Sequence, residues 1–222
     1  MVQSAKEDSM LTAYRTVKEI YQEKKEIKKS LFITTLCPVK DETEGMEKLE
    51  KLRKKYKDAT HHCWAWRIGT TQVKEKSSDD GEPQGTAGHP MLHVLQKNEL
   101  THVLVVVTRY FGGIKLGAGG LTRAYSGRVA DSLGKAPIIL QKPYALMKFT
   151  FSYGDVGAFE HYIKEKDIRM IDRTFGESVT MTFHCLPDEE VVHRAYIRDL
   201  TGGKAMIEKI GEEYVAIDES VR

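Results

Sequence analysis

Apolar positions in the first part of the chain follow two different periods, which predicts both strands and helices. Residues 14–39 alternate between apolar and polar side chains, a pattern that favours a strand hairpin. From Asp41 the spacing is helical, because Asp41 and Glu44 stand at the capping-box interval and apolar residues then recur at helical intervals as far as Tyr56. Residues 61–68 return to the alternation that is typical of a strand.

A polar stretch precedes a second group of apolar elements. Residues 70–86 predict a loop, and Pro90 suits the first turn of a short helix. Residues 103–107 are all Val or Leu, which predicts a strand buried on both faces. A glycine-rich turn follows, and helical spacing at 121–133 predicts a long helix after it.

The hydrophobic pattern starts again near residues 141–144, which predicts a second domain. Its order of elements is βαββαβ, a ferredoxin-like arrangement. We therefore predict an α+β protein with domains at 10–143 and 144–222, preceded by an extension at 1–9 that is disordered or was added for expression. The predicted elements of the second domain are a strand at 147–153, a helix from Asp155, strands at 168–173 and 179–185, a helix capped by Asp188 and a strand at 205–217.

Composition indicates a soluble globular protein, and the cytoplasm is its expected compartment. Hydrophobic residues make up 41% of the 222 positions and charged residues 30%. Apolar runs are all much shorter than the roughly 20 residues of a membrane span, so we expect no membrane association. Cys37, Cys63 and Cys185 are odd in number and far apart, which favours reduced thiols over disulfides or a zinc site. Cys63 is expected to pack in the core.

The small net charge of +2 conceals two halves of opposite sign. Residues 1–143 hold 24 Lys and Arg against 17 Asp and Glu, whereas residues 144–222 hold 10 against 15. An anionic partner is therefore expected to meet the first half, although a moderate basic excess is also typical of an ordinary solvated surface.

The glycine-rich turn lies within TRYFGGIKLGAGGLTRAY, residues 108–125. It is not a P-loop, because Ala118 and Gly119 stand where Lys and Ser or Thr are required, and Thr122 breaks the dinucleotide fingerprint. A strand that leads through glycines into a helix suits phosphate binding by backbone amides, with nearby aromatic residues stacking on bases. The candidate phosphate-binding or nucleic-acid-binding residues are Arg109, Tyr110, Gly112, Gly113, Lys115, Gly117, Gly119, Gly120 and Arg123, and the stacking candidates are Tyr110, Phe111 and Tyr125.

An equally weighted alternative is a tight corner in which the glycines adopt positive φ and the aromatic residues belong to the core. In either case we expect Gly119 to need a conformation or a close approach that a side chain forbids.

A second candidate lies in the acidic loop, where Asp79, Asp80 and Glu82 could act as metal ligands or general bases with His61, His62 or His89. Asp-Gly and Glu-Pro are ordinary turn dipeptides, so an acidic surface loop is the favoured interpretation. We assign no catalytic residue, no metal and no cofactor from the sequence.

Three stretches together resemble the IMPACT family, also called the YigZ or YvyE family in bacteria. They are HHCWAW at 61–66, SDDGEPQGTAGHPML at 78–92 and VVVTRYFGGIKLGAGGLTRAY at 105–125, and the resemblance spans about residues 10–217. It implies a first domain with the left-handed βαβ fold of ribosomal protein S5 domain 2. It also implies a second domain like the last domain of elongation factor G, which agrees with the βαββαβ order.

The resemblance also implies a link to translation. Eukaryotic members regulate translation initiation through a kinase that responds to amino-acid starvation, using an additional RWD domain for which this chain has no room. A bacterial member without that kinase role is therefore expected. The S5 domain 2 fold also occurs in small-molecule kinases with a glycine-rich phosphate loop, although the serine-rich continuation of their loop is absent here.

Three functional hypotheses follow. The first is a non-enzymatic, translation-associated protein that binds RNA or the ribosome through the basic glycine-rich turn. The second is an enzyme of nucleotide or phosphate chemistry that uses the same turn with Asp79, Asp80 and Glu82. The third is a protein-interaction module whose acidic second domain binds a protein partner.

Overall fold

The computed structural model describes residues 12–218, in which the chain forms two compact units. The first unit comprises residues 12–141 with 216–218, and the second comprises residues 142–215. The division lies between Gln141 and Lys142, and the last described residues belong with the first unit. The predicted extension at 1–9 lies outside the described residues.

The elements of the first unit are β1 (Tyr14–Val17), β2 (Tyr21–Ile27), β3 (Ser30–Pro38), α1 (Glu42–Lys55), β4 (His61–Ile68), β5 (Lys74–Ser78), α2 (Gly88–Lys97), β6 (Val103–Tyr110), α3 (Ala118–Leu133) and the beginning of β7 (Ile138–Phe151). They include a sheet with strand order β2-β3-β6-β4-β5, in which all neighbours are antiparallel. The predicted hairpin is confirmed as β2 and β3. A further strand, β1, pairs with the beginning of β7.

Both faces of this sheet are covered, which explains why its central strand is so apolar. Residues 103–107 of β6 are fully buried, as their sequence predicts. One face packs against α2 and α3 through a core that includes Met91 and Val129, and the other packs against α1 through Leu49 and Trp66. Burial on both faces removes the polar positions that give most strands their alternation.

Helix α1 begins as its capping signal predicts. Asp41 is the N-cap, and its side chain accepts a hydrogen bond from the Glu44 backbone N at 2.8 Å. Glu44 in turn accepts one from the Lys40 backbone N, also at 2.8 Å. Two of the donors at this end of the helix are thus satisfied by side chains.

Strand β5 corrects the expectation that residues 70–86 form only a loop. Lys74–Ser78 pairs antiparallel with β4, with Trp64 opposite Ser78. The strand lies at the edge of the sheet and consists of Lys, Glu and Ser. Its sequence therefore lacks the alternation of apolar and polar residues that would predict a strand. Charged edge strands protect a sheet from pairing with other chains.

The second unit has the predicted element order βαββαβ. After β7 come a 3-10 turn (Tyr153–Asp155), α4 (Val156–Glu165), β8 (Met170–Phe175), β9 (Val179–Cys185), α5 (Glu190–Leu200) and β10 (Met206–Asp218). The four strands are ordered β10-β7-β9-β8, and the core is built around Phe149, Phe159 and Phe183. Helix α5 has Glu189 as its N-cap, so the predicted cap by Asp188 is wrong.

Candidate functional site

The acidic loop and the glycine-rich turn line the same cleft of the first unit, with a volume of about 430 Å³. Glu82 and Pro83 come from the loop after β5, and Lys115 and Gly117 come from the turn before α3. His61, at the start of β4, lines the same cleft. The fold therefore brings together two stretches that the sequence presents as separate candidates.

The glycine-rich turn needs glycine at three positions. A Cβ on Gly112 would lie 1.9 Å from the Lys29 carbonyl oxygen, so the turn passes directly against the β2–β3 hairpin. Gly113 and Gly117 have φ of +85° and +72°, which side chains disfavour. Gly119 is different, because a Cβ there would meet only Arg123 Nη1 at 3.8 Å. The expectation that Gly119 forbids a side chain is wrong.

The N-terminus of α3 opens on the cleft without a side-chain cap. Its N-cap is Gly117, and the first helical bond runs from Leu121 N to Gly117 O at 2.9 Å. The amides of residues 118–120 are thus the donors of the first turn, which contains no acidic residue. Helix α2 contrasts with this arrangement, since Asp79 Oδ1 accepts from the Ala87 and Gly88 backbone N atoms at 2.9 and 2.8 Å.

Two cations of the predicted set lie at this end of α3. Lys115 and Arg123 are both exposed, and Lys115 lines the cleft. Together with the positive end of the helix dipole they form a site suited to an anion.

The structure corrects the expectation that Arg109 contacts a phosphate. Its side chain is almost completely buried, and Nη1 donates to Glu82 Oε1 at 2.6 Å. The guanidinium lies over the rings of Phe32 and Phe111, at 5.4 and 5.5 Å from their centres. Because its charge is balanced by Glu82 inside the protein, Arg109 stabilises the cleft wall and does not bind an external phosphate.

Of the aromatic candidates for stacking, one is buried and two are accessible to solvent. Tyr125 is fully buried and its hydroxyl donates to Glu82 Oε1 at 2.7 Å, so it does not stack on bases. Burial raises the pKa of this phenol. Phe111 is 46% exposed in the cleft wall, and Tyr110 is partly exposed.

Glu82 does not belong to an acidic surface loop, because it is only 8% exposed. Both of its strong bonds, from Arg109 and Tyr125, end on Oε1. Its other oxygen, Oε2, lies 3.8 Å from His61 Nε2, which is beyond hydrogen-bond distance. Within residues 12–218 no hydrogen bond reaches Oε2, so one face of this carboxylate remains available to the cleft.

The two aspartates of the loop hold backbone in place. Burial raises the pKa of Asp79, but hydrogen bonds from the backbone N atoms of Gly85, Gly88 and Ala87 outweigh it and lower the pKa overall. Asp80 Oδ2 accepts from the His62 backbone N at 2.6 Å.

The remaining members of the acidic-loop candidate do not form a metal centre. His89 is exposed on the first turn of α2, outside the cleft wall. In the part of the chain that the structure describes, no three His, Cys, Asp or Glu side chains are placed to hold a metal ion.

His61 is oriented by the loop. Its Nδ1 lies 2.8 Å from the Asp80 carbonyl oxygen, and a carbonyl only accepts. Nδ1 therefore carries the proton, and in the neutral ring Nε2 is an acceptor beside Glu82. The sequence named His61 as a neighbour of the loop but gave no sign of its tautomer, which depends on a backbone atom of the loop.

Cys63 lies in the core, as predicted. It is fully buried, its Sγ donates to the Asp79 carbonyl oxygen at 2.9 Å, and burial raises the pKa of the thiol. Cys63 is therefore an inert structural thiol and not a nucleophile.

Comparison with known proteins covers both units. The Impact N-terminal domain matches residues 28–133, and a domain of unknown function (DUF1949) matches residues 149–204. IMPACT family member YvyE of Bacillus subtilis (strain 168) is 39% identical over 200 residues, covering 90% of this chain and 92% of that protein. IMPACT family member YigZ of Escherichia coli (strain K12) is 34% identical over 194 residues, covering 84% and 93%.

A solved structure is similar to this one over most of the chain. A crystal structure described as that of a hypothetical protein has a TM-score of 0.61 and 29% identity, covering 91% of this chain and 99% of the other. Within residues 12–218, none of the helices is long and apolar enough to cross a membrane. From the matches to both units and the similarity to YvyE and YigZ over most of their length, we conclude that this chain belongs to the IMPACT family.

Proposed function

We propose that this protein is a translation-associated factor of the cytoplasm that binds single-stranded RNA, alone or within the ribosome, in the cleft of its first unit. The observation that carries the proposal is the uncapped N-terminus of α3, which opens on the cleft beside Lys115, with the Arg123 guanidinium near Gly119. Membership of the IMPACT family supports the link to translation.

In this proposal the phosphate binds at the helix end. The amides of Ala118, Gly119 and Gly120 point out of the first turn, where the helix dipole favours negative charge. Lys115 and Arg123 add two full charges near the same place. Because the charge of Arg109 is balanced by Glu82, these two side chains are the cations that an RNA phosphate meets.

The base stacks on Phe111. This ring is 46% exposed in the cleft wall, and the Arg109 guanidinium lies against it from within the protein. The Phe111 backbone N also donates to Thr60 Oγ1 at 3.0 Å, which anchors this end of β6. A fixed, exposed ring beside a phosphate site is the arrangement by which proteins hold single-stranded nucleic acid.

We also propose a fold for each unit. The first unit then has the left-handed βαβ fold of ribosomal protein S5 domain 2, and the second resembles the last domain of elongation factor G. The βαββαβ order of the second unit and its strand order β10-β7-β9-β8 support the latter assignment. Residues 10–143 and 144–222, expressed separately, should each unfold cooperatively on heating; loss of cooperative unfolding in both pieces contradicts this domain division.

The test of RNA binding compares two charge-reversal variants of the full chain. Lys115→Glu with Arg123→Glu removes the proposed phosphate contacts, and Lys51→Glu with Lys54→Glu makes the same charge change on the exposed face of α1. Binding of a single-stranded RNA of about 12 nucleotides is followed by fluorescence anisotropy between about 50 and 200 mM salt. Co-sedimentation with ribosomal subunits repeats the comparison on the larger partner.

Two phosphate contacts predict a slope of log K against log salt that is steeper by about 1.4 in the wild type than in the cleft variant. The slope measured for the α1 variant should differ from that of the wild type by less than about half this amount. Equal losses in the two variants would show that binding depends on general charge and not on the cleft.

A second candidate function is phosphate or nucleotide chemistry in the same cleft. It is favoured by the acceptor nitrogen of His61, which lies 3.8 Å from Glu82 Oε2 beside the uncapped helix end. An oriented imidazole next to a carboxylate is a common general base. Incubation of the full chain with nucleoside triphosphates and with RNA, followed by chromatography, tests it. Unchanged substrates exclude this candidate, and turnover lost in His61→Ala supports it.

A further inference from the structure

One wall of the cleft presents two hydrogen-bond acceptors side by side. Glu82 Oε2 and His61 Nε2 lie 3.8 Å apart, and both residues line the cleft. Glu82 is more than nine-tenths buried, yet no hydrogen bond reaches Oε2 from the described residues. Oε2 is therefore an acceptor that faces the cleft and is available to a donor from a ligand.

The surrounding contacts fix both groups as acceptors. The Asp80 carbonyl oxygen accepts a hydrogen bond from Nδ1–H of His61, which leaves the lone pair of the neutral ring on Nε2. Arg109 and Tyr125 both hold Oε1 of Glu82, which fixes the direction of Oε2. The pair is thus preorganised to receive two donors from one planar group.

The charges of the wall select an uncharged donor group. Arg109 already neutralises Glu82, and Lys115 lines the same cleft. A cationic ligand such as an arginine side chain would find no unbalanced negative charge on Glu82 and would be repelled by Lys115. A neutral base with two adjacent N–H donors satisfies the acceptors without adding charge.

We infer that the cleft recognises a guanine base through Glu82 Oε2 and His61 Nε2, an inference that rests on the proposed binding of single-stranded RNA. The Watson–Crick edge of guanine carries two adjacent donors, N1–H and the 2-amino group. Adenine and cytosine present one donor beside an acceptor there, and uracil presents one donor between two acceptors. Each of these bases leaves at least one of the two protein acceptors facing another acceptor.

The rest of the nucleotide has a place in the same cleft. Phe111 offers its exposed ring to the face of the base, and Lys115 lies near the α3 amides for the phosphate. A volume of about 430 Å³ falls in the range of small-molecule sites. The three recognition elements of a guanine nucleotide thus meet in one cavity.

The test uses the unaltered full chain and a series of ligands. Four uridine-rich RNAs of about seven nucleotides differ only in a central guanosine, inosine, adenosine or uridine, and their binding is compared by fluorescence anisotropy. Inosine keeps N1–H but lacks the 2-amino group, so it removes one donor. We expect the guanosine RNA to bind about tenfold more tightly than the adenosine and uridine RNAs, with the inosine RNA between them.

Two variants assign the preference to these acceptors. His61→Ala should abolish the preference for guanosine, and His93→Ala, an exposed histidine of α2, should retain it. A preference that survives in folded His61→Ala contradicts the assignment. Equal binding of all four RNAs overturns the guanine inference and leaves the proposed RNA binding intact, whereas failure to bind any of them overturns both.

Discussion

Arg109 Nη1 lies 2.6 Å from Glu82 Oε1 in the interior of the first unit, and this ion pair connects the end of β6 to the loop after β5. The same oxygen accepts the Tyr125 hydroxyl of α3. Three elements are thus joined at one carboxylate. The cleft keeps its shape because its wall is tied to the core.

Breaking this pair should destabilise the protein strongly. Arg109→Ala leaves Glu82 buried without its partner, a change that typically costs about 3–5 kcal/mol. Lys74→Ala is the matched control, since Lys74 pairs with Glu42 on the surface and exposed pairs contribute at most about 1 kcal/mol. Urea unfolding followed by tryptophan fluorescence measures both. Similar midpoints for the two variants would contradict the role given to Arg109.

Two glycines of the turn should respond differently to alanine. Gly112→Ala places a methyl group on the Lys29 carbonyl oxygen, so its melting temperature should fall. Gly119→Ala meets only ordinary contacts in a helical position, where Ala is favoured over Gly by up to about 1 kcal/mol. The melting temperature of Gly119→Ala should stay the same or rise. The reverse order of the two melting temperatures would show that the turn is not shaped as described.

Acid should weaken the first unit through His62, which is buried, and His102, which is half-buried. Burial lowers the pKa of His62 and that of His102, although Asp80 raises the pKa of His62 in part. The folded state therefore favours the neutral rings, and this stability is present above the ordinary histidine pKa and is lost as the pH falls below about 6.5.

The measurement is urea unfolding between about pH 7.5 and 5.5, followed by the fluorescence of Trp64 and Trp66 in the same unit. His62→Gln should reduce the decline in the free energy of unfolding. His93→Gln, which alters an exposed histidine, should not. Identical pH profiles in wild type and His62→Gln would contradict the prediction.

All three cysteines should be unreactive in the native protein. Burial raises the pKa of the Cys37 thiol to about 11 and that of Cys185 to about 12, and it raises that of Cys63 as well. At pH about 8 a thiol-specific reagent should label none of them until denaturant is added. Rapid labelling of any one without denaturant would show that its surroundings open.

The sequence predicts those elements whose signals are local. The Asp41 cap, the apolar strand at 103–107 and the βαββαβ order each follow from spacing that a helix or strand imposes on its own residues. Strand β5 gave no such signal, because an edge strand of charged residues buries no face. Pairing with β4 is what makes it a strand.

The candidate site shows the same limit. Spacing identified the two loops and the residues Lys115 and Arg123, but it could not show that Arg109 points inward. That orientation depends on Glu82, which is 27 positions away and meets Arg109 only in the folded chain. The acceptor at His61 likewise depends on a backbone oxygen of another segment.

The central claim, that RNA binds at the cleft of the first unit, is tested most directly by mapping where RNA touches the protein. Single-stranded RNA containing 4-thiouridine is crosslinked to the full chain by light, and the modified peptides are identified by mass spectrometry. We expect crosslinks at Phe111 and in the following turn, and we expect their loss in the variant carrying Lys115→Glu and Arg123→Glu. Crosslinks confined to α1 or to the second unit, unchanged in that variant, would contradict it.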